Sequence, residues 1–92
     1  MTKVLQVAIT GRVQGVGYRA WTIGRAQELG LVGWVRNRRD GSVEAVFKGA
    51  EDTVVRMLEE CWRGPRNAVV SQVVATAVSD ENWPDFSVRP TA

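Results

Sequence analysis

The chain has 92 residues, 45% of them hydrophobic and 24% charged, which is the size and composition of one soluble globular domain. It contains one cysteine, Cys61, and no histidine, so an internal disulfide, a cysteine–histidine zinc site and histidine-based catalysis are excluded. The net charge of +2 is much smaller than that of a protein with a basic stripe for binding duplex DNA.

The charge is unevenly distributed along the chain. Residues 1–46 carry seven Lys/Arg and three Asp/Glu, a balance of +4, whereas residues 47–92 carry five and seven, a balance of −2. Such an excess can arise by chance, or it can mark a positive site that attracts a small anion. The amino terminus has only six largely apolar residues between Lys3 and Thr10, too few for a signal sequence or a bilayer span, so we expect a cytoplasmic protein.

The first half of the chain predicts a strand, a helix and a second strand. Residues 3–10 form a nearly continuous apolar run, and residues 31–37 (LVGWVRN) are again rich in strand-forming side chains. Residues 19–30 predict a helix that ends at Gly30. The stripe expected to face the core consists of Tyr18, Thr22, Ala26 and Leu29.

The second half repeats this pattern. Asp40-Gly41 predicts a hairpin turn into a strand at residues 42–49. Residues 50–63 predict a helix, with acidic residues in its first turn and Gly64-Pro65 after it. Its expected buried stripe is Val54, Leu58 and Cys61, with Val55 and Trp62 beside it. Residues 67–78 predict another strand, and residues 86–90 a possible short last one.

The element order is therefore β-α-β-β-α-β, with an additional short strand at the carboxyl end as an alternative. Two split β-α-β units of this kind form an α+β ferredoxin-like sandwich, an antiparallel sheet with two helices on one face. The third strand should lie between the first and the second. We expect residues 1–92 to form a single domain.

The segment GRVQGVGYR, residues 11–19, connects the first strand to the first helix and has three glycines and no acidic residue. Main-chain N–H groups of a tight loop and a helix amino terminus form a concave anion site. Arg19 adds a planar fork that matches two phosphate oxygens. Because a cation at this helix end opposes the macrodipole, Arg19 is a poor choice for stability alone. The segment therefore predicts a phosphate site.

Two better-known phosphate patterns fit less well. The signature G-x-x-x-x-G-K-[ST] is absent, because no Lys-Ser or Lys-Thr follows the glycines. GVGYRA matches the dinucleotide pattern G-x-G-x-x-A, with Asp40 about 20 residues further on. Asp40, however, belongs to a predicted hairpin turn, and the chain is too short for a doubly wound domain.

The predicted topology brings Asn37 towards this loop. The first two strands are parallel members of a β-α-β unit, so their carboxyl ends share one edge of the sheet, roughly 9.5 Å apart across the intervening strand. Alternation places Val35 and Asn37 on one face. If Val35 faces the helices, Asn37 points to the start of the first helix. Without this context, Asn37 is a common type of residue to find before a turn.

GRVQGVGYR followed by GWVRNRRDGSVEAVFKG resembles the acylphosphatase family, and the resemblance extends from about Val7 to Val88, including GPRNAVV after the second helix. The chain has Tyr18 where the family commonly has phenylalanine. The resemblance implies a small α+β enzyme that hydrolyses acyl phosphates to carboxylate and phosphate, without a metal or other cofactor.

The same resemblance assigns the site residues. Arg19 and Asn37 are expected to be catalytic, with Arg19 binding the phosphoryl group and Asn37 positioning the attacking water. The expected phosphate-binding main chain is Gln14, Gly15, Val16, Gly17, Tyr18 and Arg19. The expected partner is a small acyl phosphate, gripped chiefly at its phosphoryl end, and the enzyme is expected to be a monomer that needs neither nucleic acid nor a membrane.

Three alternatives remain. The chain could bind phosphate or an acyl phosphate without hydrolysing it. It could bind RNA, although the strand at 42–49 has only Phe47 as an aromatic residue and the first strand has none. It could resemble the acylphosphatase-like amino-terminal domain of larger carbamoyl-transfer proteins. Among the remaining residues, we expect Glu28 and Glu44 on the surface, a buried inert Cys61, and tryptophans that pack in or near the core.

Overall fold

The computed structural model describes residues 1–92, which form five strands and two helices. The strands are β1 (Thr2–Arg12), β2 (Val32–Asn37), β3 (Val43–Ala50), β4 (Val69–Ala77) and β5 (Phe86–Val88), and the helices are α1 (Tyr18–Glu28) and α2 (Glu51–Cys61). Every predicted element is present, and each boundary lies within two residues of its predicted position. Neither helix combines the length and apolar character of a membrane-spanning segment.

The strands form one sheet in the order β4-β1-β3-β2-β5, so β3 lies between β1 and β2 as predicted. The pairs β1–β3, β1–β4 and β2–β3 are antiparallel. The short β5 runs parallel to β2, so the complete sheet is mixed rather than wholly antiparallel as expected. A three-residue strand carries no sequence signal for its direction, which is set here by the path of the chain from β4 at the opposite edge.

The core lies between the helices and one face of the sheet. Alternate residues of the strands point into it, and each helix contributes one stripe. The fully buried strand residues include Val7, Ile9, Val35, Val43, Ala45 and Phe47, and the buried helix residues are Tyr18, Thr22, Ala26, Val54, Met57 and Cys61. Burial of these apolar side chains stabilises the fold by about 25 cal/mol for each Å² removed from water.

The buried stripe of α2 differs slightly from the prediction. Met57 is fully buried and Leu58 only partly, while Val55 is 45% and Trp62 51% exposed. Residues 54, 57 and 61 follow the spacing of three and four that keeps side chains on one helix face. Leu58 lies at the edge of that face, so Met57 rather than Leu58 is the residue buried at its centre.

Glu44 was expected on the surface, but it is only 5% exposed, on the helix-free face of the central strand β3. It accepts hydrogen bonds from Arg36 Nε at 2.6 Å, from Arg38 Nη1 at 3.1 Å, and from the Gln6 side chain. Burial opposes ionisation of this carboxyl group, but hydrogen bonds from Arg36 and Gln6 and the charge of Arg36 outweigh it and hold its pKa below the ordinary value. The carboxylate therefore ties together the two arginines that flank Asn37.

Candidate active site

The loop between β1 and α1 turns sharply at two glycines. Gly15 has φ 74° and Gly17 has φ 80°, in the left-handed region that glycine adopts without strain. A side chain added at either position would project into open space, with no atom within 4 Å of its Cβ. The two glycines thus leave the main chain of the loop accessible to a ligand.

The other loop side chains are held by contacts with the rest of the protein. Val13 and Tyr18 are buried, and Val16 packs against the core. Gln14 reaches across to the β2–β3 hairpin, where its Nε2 group donates hydrogen bonds to Arg38 O at 2.7 Å and Ser42 O at 2.8 Å. The open part of the loop therefore lies at Gly15 and Gly17.

Six consecutive N–H groups of this segment have no intramolecular acceptor. The amides of residues 14–17 donate no hydrogen bond, and those of Tyr18 and Arg19 lie in the first turn of α1, which has no partner to offer them. No acidic residue lies in that turn and no side chain caps it. The amino terminus of α1 and its loop therefore retain the partial positive charge that binds an anion.

Arg19 is exposed and makes no ion pair or hydrogen bond within the protein. Most other cations of residues 1–46 do: Lys3 pairs with Glu51, Arg25 with Glu60, and Arg36 and Arg38 with Glu44. Of these partners, Glu51 and Glu60 come from residues 47–92, so they compensate two of the four excess positive charges of the amino-terminal half. Arg19 is the one cationic side chain that lines the cavity beside the loop.

Asn37 ends β2 on the same face as Val35, which is fully buried beneath the helices. The conditional prediction that Asn37 points towards the start of α1 is thus confirmed, since Asn37 and Arg19 line the same cavity. The Oδ1 atom of Asn37 is buried and has no hydrogen-bond partner. A buried acceptor without a donor is costly, so this atom favours a bound donor such as water.

The cavity has a volume of about 320 Å³. It is lined by five of the six residues predicted for the phosphate-binding loop, together with Asn37, while the partly buried side chain of Val16 packs against the core instead. Four further lining residues were not predicted from the sequence: Val13, Ala20, Ile23 and Val88. Ile23 could have been found, because it follows Arg19 by four residues on the same helix face. Val88 could not, because its position depends on the parallel pairing of β5.

Tyr18 anchors the end of the loop to α2. Its hydroxyl group donates a hydrogen bond to Cys61 O at 2.7 Å, and its ring packs so close to Gly64 that a Cβ at residue 64 would lie 2.7 Å from it. Burial raises the pKa of Tyr18 well above its ordinary value and that of the Cys61 thiol to about 12. Both groups are therefore neutral at physiological pH, and the thiol is unreactive.

Comparison with known proteins identifies the family. The family model for acylphosphatase matches residues 5–88. The chain belongs to the acylphosphatase family. An acylphosphatase from Rhodospirillum rubrum is 51% identical over 89 residues, which cover 97% of this chain and 98% of the relative. The resemblance seen in the sequence is thereby confirmed, and the chain is a hydrolase of the acylphosphatase type.

Solved structures of related proteins share the fold. The structure of an acylphosphatase from Coxiella burnetii matches with a TM-score of 0.92 at 39% identity, over 96% of this chain and 93% of that one. Full-length HypF, in its phosphate- and nucleotide-bound form, matches with a TM-score of 0.91 at 25% identity, over 99% of this chain but 12% of its own. The same fold thus also occurs as a small part of a much larger protein.

Proposed function

We propose that this acylphosphatase hydrolyses acyl phosphates by holding the phosphoryl group on the main chain of residues 14–19 and the guanidinium of Arg19. The observation that carries the proposal is that the N–H groups of residues 14–19 have no intramolecular acceptors and that Arg19 has no ion-pair partner. Phosphoryl transfer needs chiefly positioning and stabilisation of charge on the transferred oxygens. Fixed N–H dipoles and a bidentate guanidinium supply both.

Asn37 positions the water that attacks. Its buried Oδ1 atom lacks a donor, and it lines the cavity together with Arg19. A water that donates a hydrogen bond to this oxygen keeps a lone pair free to attack phosphorus. Its oxygen is held opposite the bond between phosphorus and the acyl oxygen, as in-line attack requires. The water oxygen bonds to phosphorus as the bond to the acyl oxygen breaks, and the acyl group leaves as a carboxylate.

The proton of the attacking water passes to a phosphate oxygen of the substrate. This part of the proposal is supported by the lining of the cavity, which contains no carboxylate and no imidazole that could act as a general base. A carboxylate is already a good leaving group, so the reaction does not need a strong base. A pH–rate profile governed by an enzyme carboxylate would contradict this step.

The reaction needs no metal in this proposal. The lining has none of the acidic, thiol or imidazole side chains that hold catalytic metal ions in proteins, and Arg19 with the loop amides compensates the phosphate charge. The direct test is hydrolysis of benzoyl phosphate with and without a chelator. We expect equal rates, and loss of turnover on chelation would refute metal independence.

The role of Asn37 is tested by separating catalysis from binding. In Asn37→Ala, kcat should fall by about 100-fold or more, whereas the inhibition constant of inorganic phosphate should change little, because only the water loses its partner. Asn67→Ala, at an exposed asparagine outside the cavity, is the matched control. Equal losses of kcat and phosphate affinity would assign Asn37 to binding instead. If the unaltered protein binds inorganic phosphate but does not hydrolyse benzoyl phosphate, the alternative of a protein that binds acyl phosphates without hydrolysing them is favoured.

We also propose that residues 1–92 act as one domain and as a monomer in the cytoplasm, without nucleic acid. Support comes from the single sheet and core, and from the small net charge of +2. Sedimentation at several protein concentrations should give the monomer mass. A concentration-dependent increase in mass would contradict the monomer.

A further inference from the structure

The cavity is larger than a phosphoryl group requires. Its volume is about 320 Å³, and a water molecule occupies about 30 Å³ of liquid, so there is room for roughly ten waters. A phosphoryl group has only four heavy atoms beyond the oxygen shared with the acyl group. A phosphoryl group held by the loop and Arg19 therefore fills only part of the cavity and leaves space for the group attached to it.

The remainder is bounded by an apolar wall formed by Ala20, Ile23 and Val88. Ile23 is half-buried, while Ala20 and Val88 are exposed, so all three are accessible from the cavity that they line. Val88 is 52% exposed, one of the few large hydrophobic side chains of the sheet left open to solvent. Such a surface beside a polar site is typical of a pocket for the apolar part of a ligand.

The wall lies directly beside the proposed phosphate position. Ile23 follows Arg19 by one helical turn, which places the two side chains about 5–6 Å apart on one face of α1. Val88 pairs with Val35, two residues before Asn37, so the main chain of Val88 lies one strand across and one pleat repeat along the sheet from Asn37, roughly 8 Å away. The acyl group of a substrate is linked to phosphorus through one oxygen and must begin within this distance.

We propose that the apolar wall binds the acyl group and that the enzyme prefers acyl phosphates with an apolar, including aromatic, acyl group. This inference rests on the proposed function of the same site. Arg19 is the only cation of the cavity and is engaged with the phosphoryl group, so a second carboxylate on the acyl group finds no partner. An acyl carboxylate would also have to be desolvated beside Ile23 and Val88, which is unfavourable.

The experiment compares kcat/KM for acetyl, benzoyl and succinyl phosphate in the unaltered protein and in two variants, Val88→Thr and Ile23→Gln. Threonine has nearly the shape of valine, and glutamine is a good helix former, so each variant removes apolar contact at small cost to its element. In each variant, the kcat/KM for benzoyl phosphate divided by that for acetyl phosphate should fall about threefold to tenfold. The loss of one methylene-sized apolar contact corresponds to a decrease of about fourfold in kcat/KM. Succinyl phosphate should be hydrolysed no faster than acetyl phosphate by the unaltered protein.

The matched control is Val55→Thr, at an exposed valine of α2 outside the cavity, which should leave the ratio unchanged. If Ile23→Gln does not fold, Val88→Thr alone decides, because its side chain is half-exposed. An unchanged ratio in folded Val88→Thr, or faster hydrolysis of succinyl phosphate, overturns the apolar wall. The proposed function fails separately, if the unaltered protein hydrolyses none of the three.

Discussion

The Nε2 group of Gln14 donates a hydrogen bond to Arg38 O at 2.7 Å, which joins the loop between β1 and α1 to the residue that follows Asn37. The same group donates to Ser42 O at 2.8 Å, at the other end of the hairpin loop. The two halves of the site come from distant parts of the sequence, and this carboxamide is a direct link between them. Its length therefore helps to set the distance between the loop and Asn37, which are the proposed positions of the phosphoryl group and of the attacking water.

Gln14→Leu should lower kcat by about 10- to 100-fold, because small displacements of positioned groups cost rates of this order. Inorganic phosphate should bind with nearly unchanged affinity, since the loop amides remain. Gln14→Glu should be at least as damaging, because a carboxylate cannot donate to two carbonyl oxygens and is repelled by them. Steady-state kinetics with phosphate as a competitive inhibitor measures both quantities.

The control for this pair is Gln27→Leu, the same substitution at an exposed position of α1. It should leave kcat unchanged. Parallel losses of kcat and phosphate affinity in Gln14→Leu would show that the side chain maintains the loop itself, not its distance from Asn37.

Arg19→Lys should lose most of the activity although the charge is retained, with kcat/KM lower by about 100-fold or more. A lysine ammonium cannot make the two parallel hydrogen bonds that a guanidinium makes to a phosphoryl group. Arg66→Lys, at an exposed arginine outside the cavity, provides the matched comparison. Near-normal turnover of benzoyl phosphate by Arg19→Lys would mean that Arg19 does not clamp phosphate.

Glu44 should make stability depend on pH in acid. Because its pKa is lower in the folded protein than the value of about 4.3 in an unfolded chain, its contribution is fully present above that value. It is lost as the pH falls through the lower, folded value. At pH 7, Glu44→Gln should therefore be less stable by about 1–3 kcal/mol, the cost of removing one partner from buried charged hydrogen bonds.

Urea unfolding of Glu44→Gln and the unaltered protein at several pH values measures this dependence. The difference in free energy of unfolding should shrink as the pH falls below about 4.3, where Glu44 is protonated in the unfolded chain. Glu81→Gln, at an exposed carboxylate, should show no comparable change. A difference that stays constant down to acid pH would show that Glu44 does not stabilise as a carboxylate.

The sequence predicted the features that depend on local patterns or on general rules of topology. Hydrophobic periodicity located the helices and strands, and the geometry of a β-α-β unit brought the loop and Asn37 to one edge. Since Val35 is buried beneath the helices, alternation alone then placed Asn37 in the cavity.

Features that depend on distant partners were not predictable in the same way. Glu44 is buried on the helix-free face beside Arg36 from the neighbouring strand and Gln6 from β1, which donate hydrogen bonds to it. The carboxamide of Gln14 finds its acceptors 24 and 28 residues away in the sequence. Val88 reaches the cavity through a parallel pairing with β2. Each of these side chains is compatible with several environments in a folded protein. The environment that it occupies is decided by residues distant in the sequence, so local patterns do not predict it.

The hydroxyl group of Tyr18 offers a final test of how the loop is anchored. In Tyr18→Phe the ring still fills its buried position, but Cys61 O loses its donor near the carboxyl end of α2. The free energy of unfolding should fall by about 1–2 kcal/mol, which for a domain of this size lowers Tm by roughly 4–8 °C per kcal/mol. Thr10→Val removes an exposed hydroxyl contact to Ser71 and should change stability by less than about 0.5 kcal/mol. Equal thermal stability of Tyr18→Phe and the unaltered protein would show that the ring alone, packed against Gly64, anchors the loop to α2.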